Sequence, residues 1–257
     1  SAGGTWGYHG VEVVSYYGAW VECAARKNND PSGFYNVVTC GSPDHKAVSL
    51  ASRNIRNIRF YEFGPMYAVA EGSNSWSETK EVYPAIVKAT HVFGLVDDIL
   101  NGTKPEQRKV ALLYNRPDEI MNGGTNYIQL DRALTFAALG NAHRNADIIL
   151  TDDLLPDILK NYQVLYVNGF NLPAASIPSI KEWVEKGGTL VVSGGSGRFD
   201  EYGNPLPEFS AVCGAEASFA DRSIGSPHPV ALNKHKPIDK VKVDKTGFSP
   251  ALEADVV

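Results

Sequence analysis

Between Lys109 and Ser193 the sequence alternates short aliphatic runs with longer amphipathic ones, and no other feature constrains the fold as tightly. The short runs are Lys109–Tyr114 (KVALLY), Asp147–Leu150 (DIIL), Gln163–Val167 (QVLYV) and Thr189–Ser193 (TLVVS). Each is apolar nearly throughout, as strands covered on both faces are. The intervening Tyr127–Leu139, Leu154–Asn161 and Ala174–Lys186 read as helices, with Gly140 and Gly187-Gly188 as their stops. Strands alternating with helices over short connections predict a parallel, doubly wound sheet with helices on both faces. Past Gly194 the pattern dissolves into loops, a short helix over Leu206–Val212 and a strand over Lys240–Val243.

The first hundred residues are less regular. Val11–Tyr17 (VEVVSYY) is β-branched and aromatic and is followed by Gly18, which predicts a strand. From Gly18 to Asp44 the chain reads as a long loop around the turn cluster Asn28-Asn29-Asp30-Pro31. His45–Arg53 reads as a helix and Ile55–Phe63 as a strand. Ser75-Trp76-Ser77-Glu78 fits a capping box, and Ile86, Ala89, Phe93, Val96 and Leu100 then recur at helical spacing as far as Gly102. The polar, breaker-containing Thr103–Arg108 is the boundary, dividing the chain into residues 1–103 and 104–257. Two strands cannot close an eight-stranded barrel, so if the first part belongs to one, most of that barrel lies upstream. An N-terminus that starts Ser1-Ala2-Gly3-Gly4 reads as the interior of a longer polypeptide.

Composition narrows the function. With 257 residues, 43% apolar, and a net charge of −5, the chain has material for a real core and no electrostatic case for nucleic acid. No run of eighteen apolar residues is present to span a membrane. The six histidines (His9, His45, His91, His143, His228, His235) lack H-x-x-x-H or H-E-x-x-H spacing, so no metal site is expected. Cys23, Cys40 and Cys213 lack CxxC spacing; a Cys23–Cys40 bridge and three thiols both remain open. Compartment cannot be read from these residues.

Asn57–Pro65 (NIRFYEFGP), Trp76-Ser77-Glu78, the long helix after it and Arg108–Arg116 (RKVALLYNR) together resemble multidomain β-galactosidase-type glycoside hydrolases, family 42 and relatives. Gly187–Ser193 (GGTLVVS) followed by Gly197–Gly203 (GRFDEYG) is similar to the second domain of those proteins. The resemblance covers roughly Arg53 to Gly214, and residues 1–45 are read as the preceding strand and loop. It implies the C-terminal part of a TIM-type (β/α) barrel over 1–103. Over 104–257 it implies a flavodoxin-like, class I glutamine-amidotransferase-like domain that is non-catalytic and helps assemble the subunits, as trimers. It also implies hydrolysis of a glycosidic bond by two carboxylates without a cofactor, from the tips of the fourth and seventh barrel strands. The fourth strand is not in this chain, and Val11–Tyr17, taken as the seventh, ends in Ser15-Tyr16-Tyr17-Gly18 without an acid; Glu12 is mid-strand and Glu22 lies in the loop.

The candidate catalytic residue is therefore Glu62, near the C-terminal end of the last barrel strand, where barrel chemistry collects. Among aromatic neighbours it could act as an acid or hold a sugar hydroxyl; a structural pairing with Arg59 is the plainer alternative. Tyr17, Trp20, Tyr61, Tyr67 and Trp76 cluster after the two expected strands and are candidates to stack on a sugar's C–H face, or simply to pack loops. Ser193-Gly194-Gly195-Ser196-Gly197 sits where amidotransferase-like folds carry a nucleophile, but Arg198 stands where G-x-S-x-G needs glycine, and no His–acid pair adjoins it. The expected function is a fragment or subunit of a glycoside hydrolase acting on carbohydrate, incomplete without an N-terminal barrel segment. The alternatives are a non-catalytic assembly or glycan-binding module and, more weakly, a small-molecule hydrolase using Ser196 or Cys213.

Overall fold

The structure, a computed structural model, describes residues 11–37, 43–61, 82–103, 106–121, 126–193, 195–219 and 238–243. It divides into two units, Ser1–Gln107 and Arg108–Val257.

The first unit comprises α1 (Val11–Asn28), β1 (Gly33–Val37), α2 (Pro43–Ser52), β2 (Asn57–Tyr61), α3 (Val82–Leu95) and α4 (Asp97–Gly102). This corrects the strand expected over Val11–Tyr17 and the loop expected from Gly18 to Asp44: residues 11–28 form one helix, and the strand is Gly33–Val37. Strand propensity lost to the burial period, because Val14, Gly18 and Glu22 are buried at four-residue spacing. Gly18 is a point of close approach rather than a stop; a Cβ there would lie 2.7 Å from Leu50 Cδ2 on α2. The stop is Asn29 at φ +52°, with Asp30 N–H donating to Ala25 O at 2.9 Å in a Schellman closure. α2 ends the same way on Asn54, where Ile55 N–H donates to Leu50 O at 3.1 Å.

β1 and β2 pair in parallel, from Gly33 opposite Asn57 to Val37 opposite Tyr61. Phe34 and Ile58 turn toward the helices and pack on Val14, Leu50 and Ile55. Ser32 fixes the base of the pair: its hydroxyl donates to Asn54 O at 2.8 Å and accepts from Arg56 N–H at 3.2 Å. On the opposite face Tyr35 is 61% exposed and its register partner Arg59 is exposed too. Among the described residues no third strand joins either edge. The long helix expected up to Leu100 is two pieces, broken at Val96 (φ −114°, ψ 12°). The expected stripe faces inward, with Ala89 buried and Ile86, Phe93 and Leu100 half-buried. A second stripe was not expected: Tyr83, Val87, Leu95 and Ile99 are between 45% and 72% exposed. The capping-box residues Ser75–Glu78 lie outside the described residues.

The second unit contains β3 (Val110–Tyr114), α5 (Arg116–Met121), α6 (Asn126–Asn141), β4 (Ala146–Leu150), α7 (Pro156–Leu159), β5 (Val164–Val167), α8 (Ile177–Glu185), β6 (Thr189–Val192), α9 (Pro207–Cys213), β7 (Ala215–Phe219) and β8 (Ile238–Val243). The four expected strands form one parallel sheet in the order β4-β3-β5-β6. Ala111, Leu113, Ile149, Leu165 and Val167 pack against Ile177, Ile180 and Trp183 of α8 and against Leu206 and Phe209 at the start of α9. At the base of the sheet Asp147, 1% exposed, takes a 2.8 Å ion pair from Arg108 and a 3.0 Å hydrogen bond from the Tyr162 hydroxyl. Helix α6 runs past Gly140; its left-handed stop is His143 at φ +55°, closed by Arg144 N–H on Leu139 O at 2.8 Å. Helix α5 and strand β7, which pairs antiparallel with β8, had no counterpart in the sequence reading.

Candidate functional site

In the first unit the candidate site is the C-terminal ends of β1 and β2, where parallel β/α sheets collect chemistry. β2 ends at Tyr61, and Glu62 is the next residue. Glu62, Tyr67 and Trp76 lie outside the described residues, as does the side chain of Tyr61. Tyr17 and Trp20 are described and are not on a loop after a strand, as expected; they stand on α1, because that segment is helical. Their rings form a cluster with Tyr16, with centroids 5.5–5.8 Å apart. Glu22, also expected in a loop, is a buried residue of α1 that accepts from Arg26 Nε at 3.0 Å. Cys23 is a thiol, and Cys40 lies outside the described residues.

Moving the preceding strand to β1 also moves the strand tip. The chain after β1 reads Val38-Thr39-Cys40-Gly41-Ser42-Pro43, and the first acid is Asp44, inside α2. Asn36, fully buried near the end of β1, donates from Nδ2 to Pro43 O at 3.1 Å and so ties the strand to the start of α2.

The sequence reading missed the Tyr35–Arg59 pair as a feature of this end. Three arginines recur at three-residue spacing here. Arg53 Nε donates to Ser15 Oγ at 3.1 Å and Arg56 Nη2 to Thr103 Oγ1 at 3.0 Å. Arg59 instead lies over the Tyr35 ring, 6.0 Å from its centroid, and no described carboxylate pairs with it. The signal was available in the alternation of GFYNV and NIRFY, but only once Gly33–Val37 is recognised as a strand.

In the second unit the order β4-β3-β5-β6 places the topological switch point between β3 and β5, where open α/β sheets bind ligands at the strands' C-terminal ends. Here that crevice is bridged by the protein itself. Asn115, fully buried after β3, donates from Nδ2 to Asn171 O and, at 3.4 Å, to Asn168 O in the loop after β5. Asp118, 1% exposed, accepts from Phe170 N–H at 2.6 Å and Asn171 N–H at 3.3 Å. Gly169, at φ +105°, makes this approach feasible, since a Cβ there would lie 2.7 Å from the Asp118 carboxyl carbon. Asn168 donates to Asp131, and the buried Arg132 pairs with Glu119 and lies over the Tyr114 ring. None of these residues was singled out from sequence, because each acts through partners more than ten residues away.

The Ser193–Gly197 turn is equally occupied. Ser196 Oγ donates to Val167 O at 2.9 Å and lies 3.0 Å from Ser193 Oγ, so backbone and hydroxyl hold it rather than a base. Gly197, at φ +63°, is pressed against Phe209. Burial pushes the Cys213 thiol up from about 9 to about 11, which leaves almost no thiolate near neutrality. Asp200 is held below the usual carboxylate range, first by the Asn204 side-chain amide, then by the backbone N–H groups of Asn204, Tyr202 and Gly203. Among the described residues no nucleophile–base pair assembles at this end of the sheet.

No protein-family model matches this sequence, and no curated protein matches it. Solved structures do. The chain is similar to Gan42B, a GH42 β-galactosidase, with a TM-score of 0.61 at 13% identity over 82% of this chain and 35% of that one. A catalytic mutant of Gan42B from G. stearothermophilus gives a TM-score of 0.54 at 14% identity over 70% of this chain and 29% of that one. The likeness is one of fold, an α/β chain with parallel sheets, and this chain spans about a third of the length of those β-galactosidases.

Proposed function

We propose that this chain is the end of the barrel and the following domain of a β-galactosidase-like glycoside hydrolase, and that it lacks at least one of the two carboxylates. The carrying observation is the open β1–β2 pair: a parallel ribbon with helices on one face, Tyr35 and Arg59 bare on the other, and no described strand at either edge. Parallel sheets are stable when covered on both faces, and a two-stranded one is marginal alone. The second apolar stripe on α3 and α4 supports the same reading, since a helix apolar on two sides is one buried on two sides. An upstream barrel segment supplies the missing strands and cover. Glu62 then stands at the last strand's mouth with Tyr61, Tyr67 and Trp76 as sugar-stacking candidates, while the tip of β1 offers no acid. The second unit is a flavodoxin-like, amidotransferase-like domain without catalysis of its own. The bridged switch point supports that role.

The test is turnover of nitrophenyl β-galactosides. The chain alone is expected to give none, and the polypeptide extended upstream to include the fourth-strand carboxylate is expected to be active. Clear turnover by the pure chain would defeat the proposal.

A second reading, a non-catalytic assembly or glycan-binding module, is favoured by one observation: Ile120, Met121 and Tyr202 are 69%, 48% and 77% exposed on the second unit. A homotrimer by light scattering, without catalysis from the extended polypeptide, would select it.

A further inference from the structure

We infer that Arg59 is a substrate-binding residue for an anionic substituent, a carboxylate or sulfate on the sugar. This rests on the barrel reading of the first unit. Side chains alternate across a strand, and Phe34 and Ile58 point to the helices, so Tyr35 and Arg59 share the opposite face. In a closed barrel that face is the interior. Arg59 lies two residues before the C-terminal end of β2, close enough for its long side chain to reach the mouth.

A guanidinium enclosed there needs a counter-charge. Among the described residues none stands on that face of the ribbon, where the other side-chain positions are Gly33, Tyr35 and Asn57. The neighbouring arginines are already committed to Ser15 and Thr103, whereas among the described residues Arg59 meets the Tyr35 ring and no acid. A contact with an aromatic ring leaves the guanidinium N–H groups available, and a guanidinium can bind a planar oxyanion in a bidentate way. The location at the active end of the strand selects a substrate group over a structural acid.

The experiment uses the upstream-extended polypeptide with three nitrophenyl glycosides: β-galactoside, its 6-O-sulfate and β-galacturonide. Arg59→Met is expected to raise the KM ratio of an anionic to the neutral glycoside about ten- to a hundredfold, the size of a lost charge-assisted hydrogen bond. Arg59→Lys should recover part of it, and the two anionic substrates distinguish sulfate from carboxylate. An unchanged ratio overturns the inference. A lowered Tm with no change in ratio overturns it too and assigns Arg59 to a structural acid on an upstream strand. If the wild type cleaves the neutral glycoside, these results leave the barrel reading standing; if it cleaves none of the three, both fall.

Discussion

The two units use the same β/α alternation and differ in closure. In the second, β3 and β5 each have strands on both sides, and a contiguous cluster of thirteen buried apolar residues joins the sheet to α8 and α9. In the first, among the described residues, each strand of the pair has a free edge, and the corresponding cluster is Val14, Leu50 and Ile55 with Val21, Phe34 and Ile58 packed against it. Coverage, not local propensity, separates a layer that stands alone from one that needs a partner.

The strongest way to break this contrast is at Asp147. Asp147→Ala leaves Arg108 and the Tyr162 hydroxyl facing a buried gap, and should cost the second unit about 3–5 kcal/mol, read as the shift of its urea transition. Next, Leu165→Ala should cost about 3–4 kcal/mol, whereas Leu50→Ala, in the smaller described cluster, should cost nearer 2 kcal/mol. Equal losses would show that the first unit is as well packed as the second. The smallest effect is with pH. The folded second unit keeps the Cys213 proton that the unfolded chain gives up, so its stability should fall as pH rises from about 9 towards 11. Cys213→Ser should flatten that slope; an unaltered slope would mean the thiol is not the group responsible.

The same contrast governs what could be read from the residues. KVALLY and DIIL were legible because strands buried on both faces are nearly continuous apolar runs, and QVLYV and the half-exposed edge strand TLVVS because they are short β-branched runs between helical segments. Val11–Asn28 was not, since its β-branched start outweighed a helical burial period that becomes visible only with Leu50 packed on Gly18. Its end was legible as the turn cluster Asn28–Pro31, which holds the left-handed Asn29, whereas the stop of α6 was read at Gly140 and lies at His143. Mistaking α1 for a strand and loop then concealed β1, and with it Tyr35, its register pairing with Arg59, and the acid-free tip of the strand. Asn57–Tyr61 was legible as a strand by its own composition, while Glu62 lies outside the described residues. The bridging of the switch point by Asn115, Asp118 and Gly169 depends on tertiary partners and leaves no local pattern.

Backbone hydrogen exchange on this chain bears most directly on the open character of the first unit. If β1 and β2 are an exposed piece of a larger barrel, the amides of Phe34–Asn36 and Ile58–Phe60 should exchange at least about a hundredfold faster than those of Leu112 and Leu165. Protection of the two groups to the same degree would contradict it.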